Sequence, residues 1–437
     1  MSSPRLEVSP GVTPTSAGPP TSLWSLVRLA PRFRALFLSR AASMLGDWFN
    51  LLALLSLLEK LGYRDATSTG GVVILKFLPV AVAGPLAGVI ADRFPRRLVM
   101  IVCDSVRFVL VSAMFAAPYL ERGAAAYLLT LTFLQSFFGA IGEPARAASI
   151  PNTVPAAWLG AANTLSVLAW SATYTFGAAA GGLATRYLGW QVALGLDALS
   201  YLVSIALVRP LQLPPPPHHA RRLDAWALVG GPDMLHAIRS LLRRRSVLRL
   251  FWIKTGWGLG GAMTVLLTLF GARVFAPHGE AELAVAALYV ARGLGMGIGP
   301  LLLHRFTALG TRRLATAIAL GFLVFGAAYA GLGQIHALNW AIAVVFVGSI
   351  GESALWVYST LLVQRAAPDR LRGRWLALDI GACTITSCVV THLYGRALDA
   401  NLIALSNLTA LLGSALIAAG LVWIVLARTS IRRDVPL

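Results

Sequence analysis

The chain has 437 residues, of which 57% are hydrophobic and only 13% charged, with a mean hydropathy of +0.72. Soluble domains carry roughly 25% charged residues, so this composition excludes an ordinary soluble fold. The net charge of +19 would suit a nucleic-acid binder, but the basic residues stand at the ends of apolar runs and not in one patch, which argues against that class.

In chain order, residues 1–30 come first. "MSSPRLEVSPGVTPTSAGPPTS" is polar, rich in Pro, Ser and Gly, and has no apolar core of the signal-peptide kind. It is expected to be a disordered cytoplasmic tail, followed by a basic amphipathic stretch, "SLWSLVRLAPRFRALF", lying on the membrane surface. About twelve apolar runs follow, near 35–59, 69–91, 98–120, 125–149, 159–184, 189–208, 248–274, 282–303, 314–334, 338–364, 374–396 and 402–427. Each approaches or exceeds the about 20 residues that cross a bilayer as a helix. Short-range alternation is absent, which argues against a β-barrel. The expected fold is an all-α membrane protein of about twelve transmembrane helices in two six-helix bundles, 31–208 and 248–428. A linker at 209–247, containing the stiff "PPPPHH" segment, joins them, and 429–437 form a second tail.

The loops alternate in charge. "DRFPRR" (92–97), "HHARR" (218–222), "RSLLRRRSVLR" (239–249), "HRFTALGTRR" (304–313), "RAAPDRLRGR" (365–374) and "RTSIRRD" (428–434) are basic; the loops between them are nearly neutral. Basic loops mark the cytoplasmic side, which predicts both termini inside and a location in the cell's inner membrane.

The two halves share motifs in one order. Gly-x-Ile-Gly-Glu ends at Glu143 and again at Glu352; Arg40 with "LG" at 45–46 matches Lys254 with "LG" at 259–260. "GPL" recurs at 84–86 and 299–301, and Pro155 with Gly160 matches Pro368 with Gly373. Ordered recurrence at a nearly constant offset indicates duplication of a six-helix unit.

"GVIADRFPRR" (88–97) resembles the loop signature of the major facilitator superfamily, G-x-x-x-D-R-x-G-R-R. Gly88, Asp92, Arg93, Arg96 and Arg97 match, and Pro95 replaces the second glycine. "GAAAGG" (177–182) resembles the end of the family's antiporter motif, with Ala178 in place of proline. "EPARAASIPNTVP" (143–155) and "GLDALSYLVS" (195–204) resemble the drug-exporter subgroup that includes macrolide-efflux and enterobactin-export proteins.

The resemblance implies a central cavity lined by spans 1, 4, 7 and 10, and alternating access by rocking one half against the other. It also implies that Asp92, with Arg93, Arg96 and Arg97, latches the cytoplasmic side of the two halves. Asp104 and Arg107, an i,i+3 pair near the start of span 3, are expected to join that gating cluster. Carboxylates inside apolar spans are costly and mark functional paths or partners. Asp47, Glu352 and Glu143 are the candidates for carrying coupling protons, with Asp47 two turns from Arg40 on one face of span 1. Arg40, Gln135, Lys254, Lys76 and Arg292 are the candidates for the substrate cavity. Gln135 stands where many proton-driven relatives carry an arginine, which puts that coupling route in question. Asp197 and Asp379 read as structural. Gly177, Gly181 and Gly182 form a small-residue face for close helix packing.

Three cysteines, all in apolar runs, and no spaced histidine pair argue against disulfides and metal sites. No P-loop or nucleophile elbow is present, so no enzyme chemistry is expected. The expected function is secondary active export of small amphipathic compounds, drug-, macrolide- or siderophore-like, by proton antiport. The expected partners are the small-molecule substrate, protons and membrane lipid, with no nucleic acid and no cofactor, and the protein is expected to be a monomer. Transport of a lysolipid or other lipid-like metabolite is one alternative; a non-transporting membrane sensor or scaffold is an alternative of another class.

Overall fold

The computed structural model describes residues 23–120, 122–155, 158–214, 231–275, 281–307, 311–368 and 371–430. Expectations for residues 1–22, the "PPPPHH" segment and residues 431–437 lie outside that set, as do the side chains of Gly88 and Asp92.

The described residues are helical, without strands. A short helix α1 (Leu23–Leu29) precedes α2 (Pro31–Lys60), α3 (Ala66–Arg93), α4 (Arg96–Met114), α5 (Ala124–Ser149), α6 (Leu159–Tyr187) and α7 (Gly189–Val208). Then come α8 (Gly231–Leu242), α9 (Arg245–Gly258), α10 (Met263–Phe270), α11 (Ala281–Thr307), α12 (Thr311–Leu332), α13 (Leu338–Ala366), α14 (Arg372–Asp399) and α15 (Leu405–Ser430). Among the described residues, 11 helical segments are long and apolar enough to cross a membrane, with α9 and α10 counted as one. The remaining long helix, α6, has 29 residues but is diluted by Ser, Thr, Ala and Gly. In hydrocarbon every backbone polar group must be satisfied within its own segment, which is why apolar runs of this length become helices.

The helix boundaries follow local chemistry. Pro31 starts α2, where its missing N–H costs nothing. Asp65 caps α3, its carboxylate accepting from the Ser68 N–H at 2.6 Å. Gly189 turns α6 into α7 with φ +85°, a conformation that favours glycine. The seventh span is interrupted between α9 and α10, where Gly261 lies so close to α14 that a Cβ would sit 2.3 Å from Ser387 Cα.

Helices α2 to α7 pack together, chiefly α2 on α7 and α6, α3 on α5, and α4 on α5 and α7. Helices α9 to α15 form a second group in which α12 packs on α15 and α13, and α11 on α13. The two groups meet along two seams, α6 with α11 and α3 with α14. Glycines make both seams close: a Cβ on Gly182 would lie 2.4 Å from Ala286, on Gly293 2.5 Å from Thr175, and on Gly297 2.2 Å from Ser171. On the other seam Gly395 packs against the start of α3, at Ala66 and Thr67. Helix α7 shows how the array is sided. Its buried face carries Asp197, Tyr201 and Ser204, and its exposed face carries Leu196, Leu199, Leu202 and Val203. Polar inside and apolar outside is the pattern of a helix whose outer surroundings are lipid.

Candidate functional site

The interior of the first group holds a network of charges. Helix α2 presents Ser39, Ser43 and Asp47 inward. Arg107, from α4, grips Asp47 with two bonds at 2.6 and 2.8 Å, donates to Ser43 Oγ at 2.9 Å, and lies 4.3 Å over the Tyr201 ring. The pair is lopsided: the Asp47 side chain is 37% exposed and that of Arg107 only 8%. The carboxylate is therefore the more accessible partner, with the guanidinium behind it. Both bonds leave one guanidinium nitrogen, Nη2, which is shared between the two carboxylate oxygens. Tyr201 donates to Asp47 Oδ1 at 3.1 Å, and Lys76 to the Asp47 main-chain carbonyl at 3.3 Å. The buried Gln135 donates to Tyr201 at 2.8 Å and, at longer range, to Asp47 (3.4 Å) and Asp197 (3.3 Å).

A second layer is anchored on Asp104. It accepts from Ser204 at 2.6 Å and Arg146 at 3.1 Å, and lies 3.8 Å from Arg107; Arg146 also donates to Ser39 at 2.5 Å. Asp104 and Arg107, expected to join the gating cluster, lie within the first group and not between the halves. Both are buried inside one bundle, where they tie α4 to α2, α5 and α7. Arg40 and Asp47 likewise do not act as a pair: Arg40 forms an ion pair with Glu143 of α5, whose side chain is exposed. The loop arginines bond within the first group as well. Arg96 donates to the Ala148 carbonyl (2.7 Å) and Asn152 (2.9 Å), and Arg97 to the Arg209 and Leu211 carbonyls (3.4 and 3.5 Å). Arg93 is half-buried at the end of α3.

The second group pairs its charges out of reach of open space. Arg292 binds Glu352 through two bonds, 2.6 and 3.1 Å, and donates to Thr264 at 3.0 Å. Lys254 bonds Asp379 at 2.6 Å beneath the Trp356 ring, 4.9 Å away. Glu352, Arg292 and Lys254, expected on the path, are thus sealed in this conformer.

Next to Asp47, an aromatic layer closes the seam between groups. Trp48 meets Tyr174 of α6 with ring centroids 4.3 Å apart and Tyr289 of α11 at 5.9 Å. Trp48 itself fills the hollow left by Gly177, and its carbonyl lies against Gly181. Beyond this layer, at the end carrying loops 61–65 and 400–404, the groups are bonded directly. Asp399, the last residue of α14, accepts from the N–H groups of Ala66 (2.7 Å) and Thr67 (2.8 Å) and from the Thr67 hydroxyl. Arg273 donates to the Arg64 carbonyl at 2.6 Å. This end is sealed. A carboxylate at the first turn of α3 also meets the positive end of that helix's dipole.

Residue-by-residue reading of the sequence missed Tyr201, Tyr174 and Asp399, and offered Arg146 only as a partner for Glu143, whereas it pairs with Asp104. For Asp399 a signal existed: an acid ending one span opposite a helix start in the other half. For Arg146 the only signal was a cation inside an apolar run.

The clusters comprise no group of three or more metal-binding side chains among the described residues. What they can do is hold charge, with one partly exposed carboxylate, Asp47, able to exchange it.

The family model described as "Major Facilitator Superfamily" matches residues 36–391. The chain is 31% identical over 187 residues to "Putative bacilysin exporter BacE" of Bacillus subtilis, which is 43% of this chain and 46% of that one. The match thus spans about half the length of that relative. It is 22% identical to "Uncharacterized MFS-type transporter y4rN" of Sinorhizobium fredii over 82% of this chain and 85% of the other. A solved peptide transporter, POT in complex with sulfate, superposes with TM-score 0.76 at 13% identity, covering 96% of this chain and 98% of that one. That likeness shows a shared fold. Two packed groups of helices and a family model matching most of the chain lead to one conclusion: the chain belongs to the major facilitator superfamily.

Proposed function

We propose that this transporter exports small amphipathic compounds by alternating access, in exchange for protons, and that Asp47 is the carboxylate at which protons and substrate compete. The observation that carries this reading is the lopsided pair: a partly exposed carboxylate backed by a buried arginine. The charge pattern of the loops supports an orientation with the sealed end outside and both termini inside, in the cell's inner membrane. The conformer described is then inward-facing. Export fits the name of the BacE relatives, though the match covers under half of their length.

The test begins with a panel of amphipathic compounds screened for raising the Tm of the purified protein, since a ligand stabilises the state it binds. Proteoliposomes loaded with the best compound should export it when a pH gradient is imposed. Asp47→Asn should abolish pH-driven export while the compound still raises Tm. Full pH-driven export by the variant would remove Asp47 from the coupling role.

A second reading, transport of a lysolipid or similar compound, is favoured by one feature. An apolar groove of about 540 Å³ opens between α6, α11 and α13, lined by Leu183, Leu294, Phe346 and Asn339 among others. Adding lysophosphatidylcholine to the panel decides between the two classes.

Orientation is testable separately. Cysteines placed at Gly62 and Gln334 in a cysteine-free background should react with a membrane-impermeant maleimide on intact cells. Labelling only after permeabilisation would invert the topology and make the described conformer outward-facing.

A further inference from the structure

We propose that Asp197 stores the exchanged proton in this conformer, and that Asp47 passes it between Asp197 and the transport path. The proposal rests on the reading of Asp47 as the coupling carboxylate and carries it one residue deeper.

Asp197, on α7, is 0% exposed. It makes no ion pair with a described residue; its Oδ2 accepts from Gln135 at 3.3 Å, and the Tyr201 hydroxyl also interacts with its carboxyl group. Its Oδ1 has no hydrogen-bond partner among the described residues, and neither has Oε1 of Gln135. An ionised carboxylate so placed is strongly penalised. A buried carboxyl oxygen with no partner and no paired cation is where a proton stays bound. A carboxyl proton turns one acceptor into a donor, and the Tyr201 hydroxyl oxygen beside the same carboxyl can accept it. The fit is tight against α2 as well. A Cβ on Gly46 would lie 2.6 Å from Asp197 Oδ1, so the carboxyl packs on the backbone beside Asp47.

The charged and titratable groups around Asp197 are Asp47 on α2, Lys76 on α3, Arg107 on α4 and Tyr201 on its own helix. Asp104 and Arg146 satisfy one another a layer away. Arg107 is committed to Asp47, and the Lys76 ammonium bonds the Asp47 carbonyl. Lys76 is close enough to offset the negative charge when Asp197 gives up its proton. Tyr201, one turn along α7 from Asp197, donates to Asp47 Oδ1. The transfer balances: Tyr201 oxygen takes the Asp197 proton as its own hydroxyl proton passes to Asp47, which releases it to water in the path. Return of the Tyr201 hydroxyl to its starting orientation resets the relay.

The experiment uses the purified full chain in liposomes and infrared difference spectra across a pH jump. A protonated carboxyl has a C=O stretch distinct from that of a carboxylate, and no substrate is needed to see it. Wild type should show such a band. It should vanish in Asp197→Asn, persist at a shifted position in Asp197→Glu, and persist in Asp47→Asn and Tyr201→Phe, both of which should slow its loss after a jump to high pH. A band unchanged in Asp197→Asn, or absent from wild type, overturns the storage site. Unslowed exchange in Asp47→Asn overturns the relay. If pH-driven export survives Asp47→Asn while the band still belongs to Asp197, the export reading of Asp47 fails and the storage site stands.

Discussion

Lys254→Met should destabilise the protein by about 3–5 kcal/mol, and adding Asp379→Leu should restore most of the loss. The two groups are 1% and 0% exposed and 2.6 Å apart, the most thoroughly enclosed ion pair among the described residues. Removing the ammonium alone strands a carboxylate whose Oδ1 already has no partner. Removing both leaves an apolar contact between α9 and α14 under Trp356. Thermal unfolding of the three purified proteins reads this directly; equal stability of the single and double variants would contradict it. The same set tests the expectation that Lys254 serves the substrate cavity. A stable double variant that transports normally makes the pair a structural clamp. One that is stable but inactive restores a functional role for Lys254.

Asp399→Ala should open the sealed end. Its carboxylate holds two N–H groups and one hydroxyl at the start of α3, across the boundary between the halves. Bonds to a charged acceptor contribute about 1.5–3 kcal/mol each when buried. Asp399 is exposed, so water replaces part of what is lost, and a net shift of about 1–2 kcal/mol is the reasonable scale. That corresponds to roughly a 5–30-fold change in conformer ratio. Spin labels at the exposed Tyr119 and Leu402, one on each half at this end, should gain a longer-distance population in double electron–electron resonance. An unchanged distance distribution would mean that Asp399 merely decorates the loop. Asp92, near the opposite end of α3, faces the reverse test: Asp92→Asn should favour the inward-facing form and slow transport without lowering expression.

These two acids also show where sequence reasoning stopped. Asp92 stood out because it sits in a motif resembling a known family signature. Asp399 sits in no motif, and a charged residue at a span end is ordinary on sequence grounds. Its meaning depends on α14 lying against α3, which glycines at 70 and 395 allow by letting the helices approach.

The all-helical membrane class was determined by the sequence alone, and the family was legible in its loop motif; of about twelve expected spans, 11 are long and apolar enough among the described residues. The reason is that hydrocarbon leaves the backbone no other way to satisfy its polar groups, so run length and loop composition suffice. The list of buried charges was legible too, because each stands out in an apolar run. Which charge meets which was decided only by the tertiary structure. Asp47 shares a helical face with Arg40 in the sequence, yet it binds Arg107 from another helix, while Arg40 goes to Glu143. Glu352 finds Arg292, and Lys254 finds Asp379. Periodicity names the face of a helix that turns inward. It does not name the neighbour or the depth at which two side chains meet, because those follow from how closely distant helices approach and how each is rotated about its own axis.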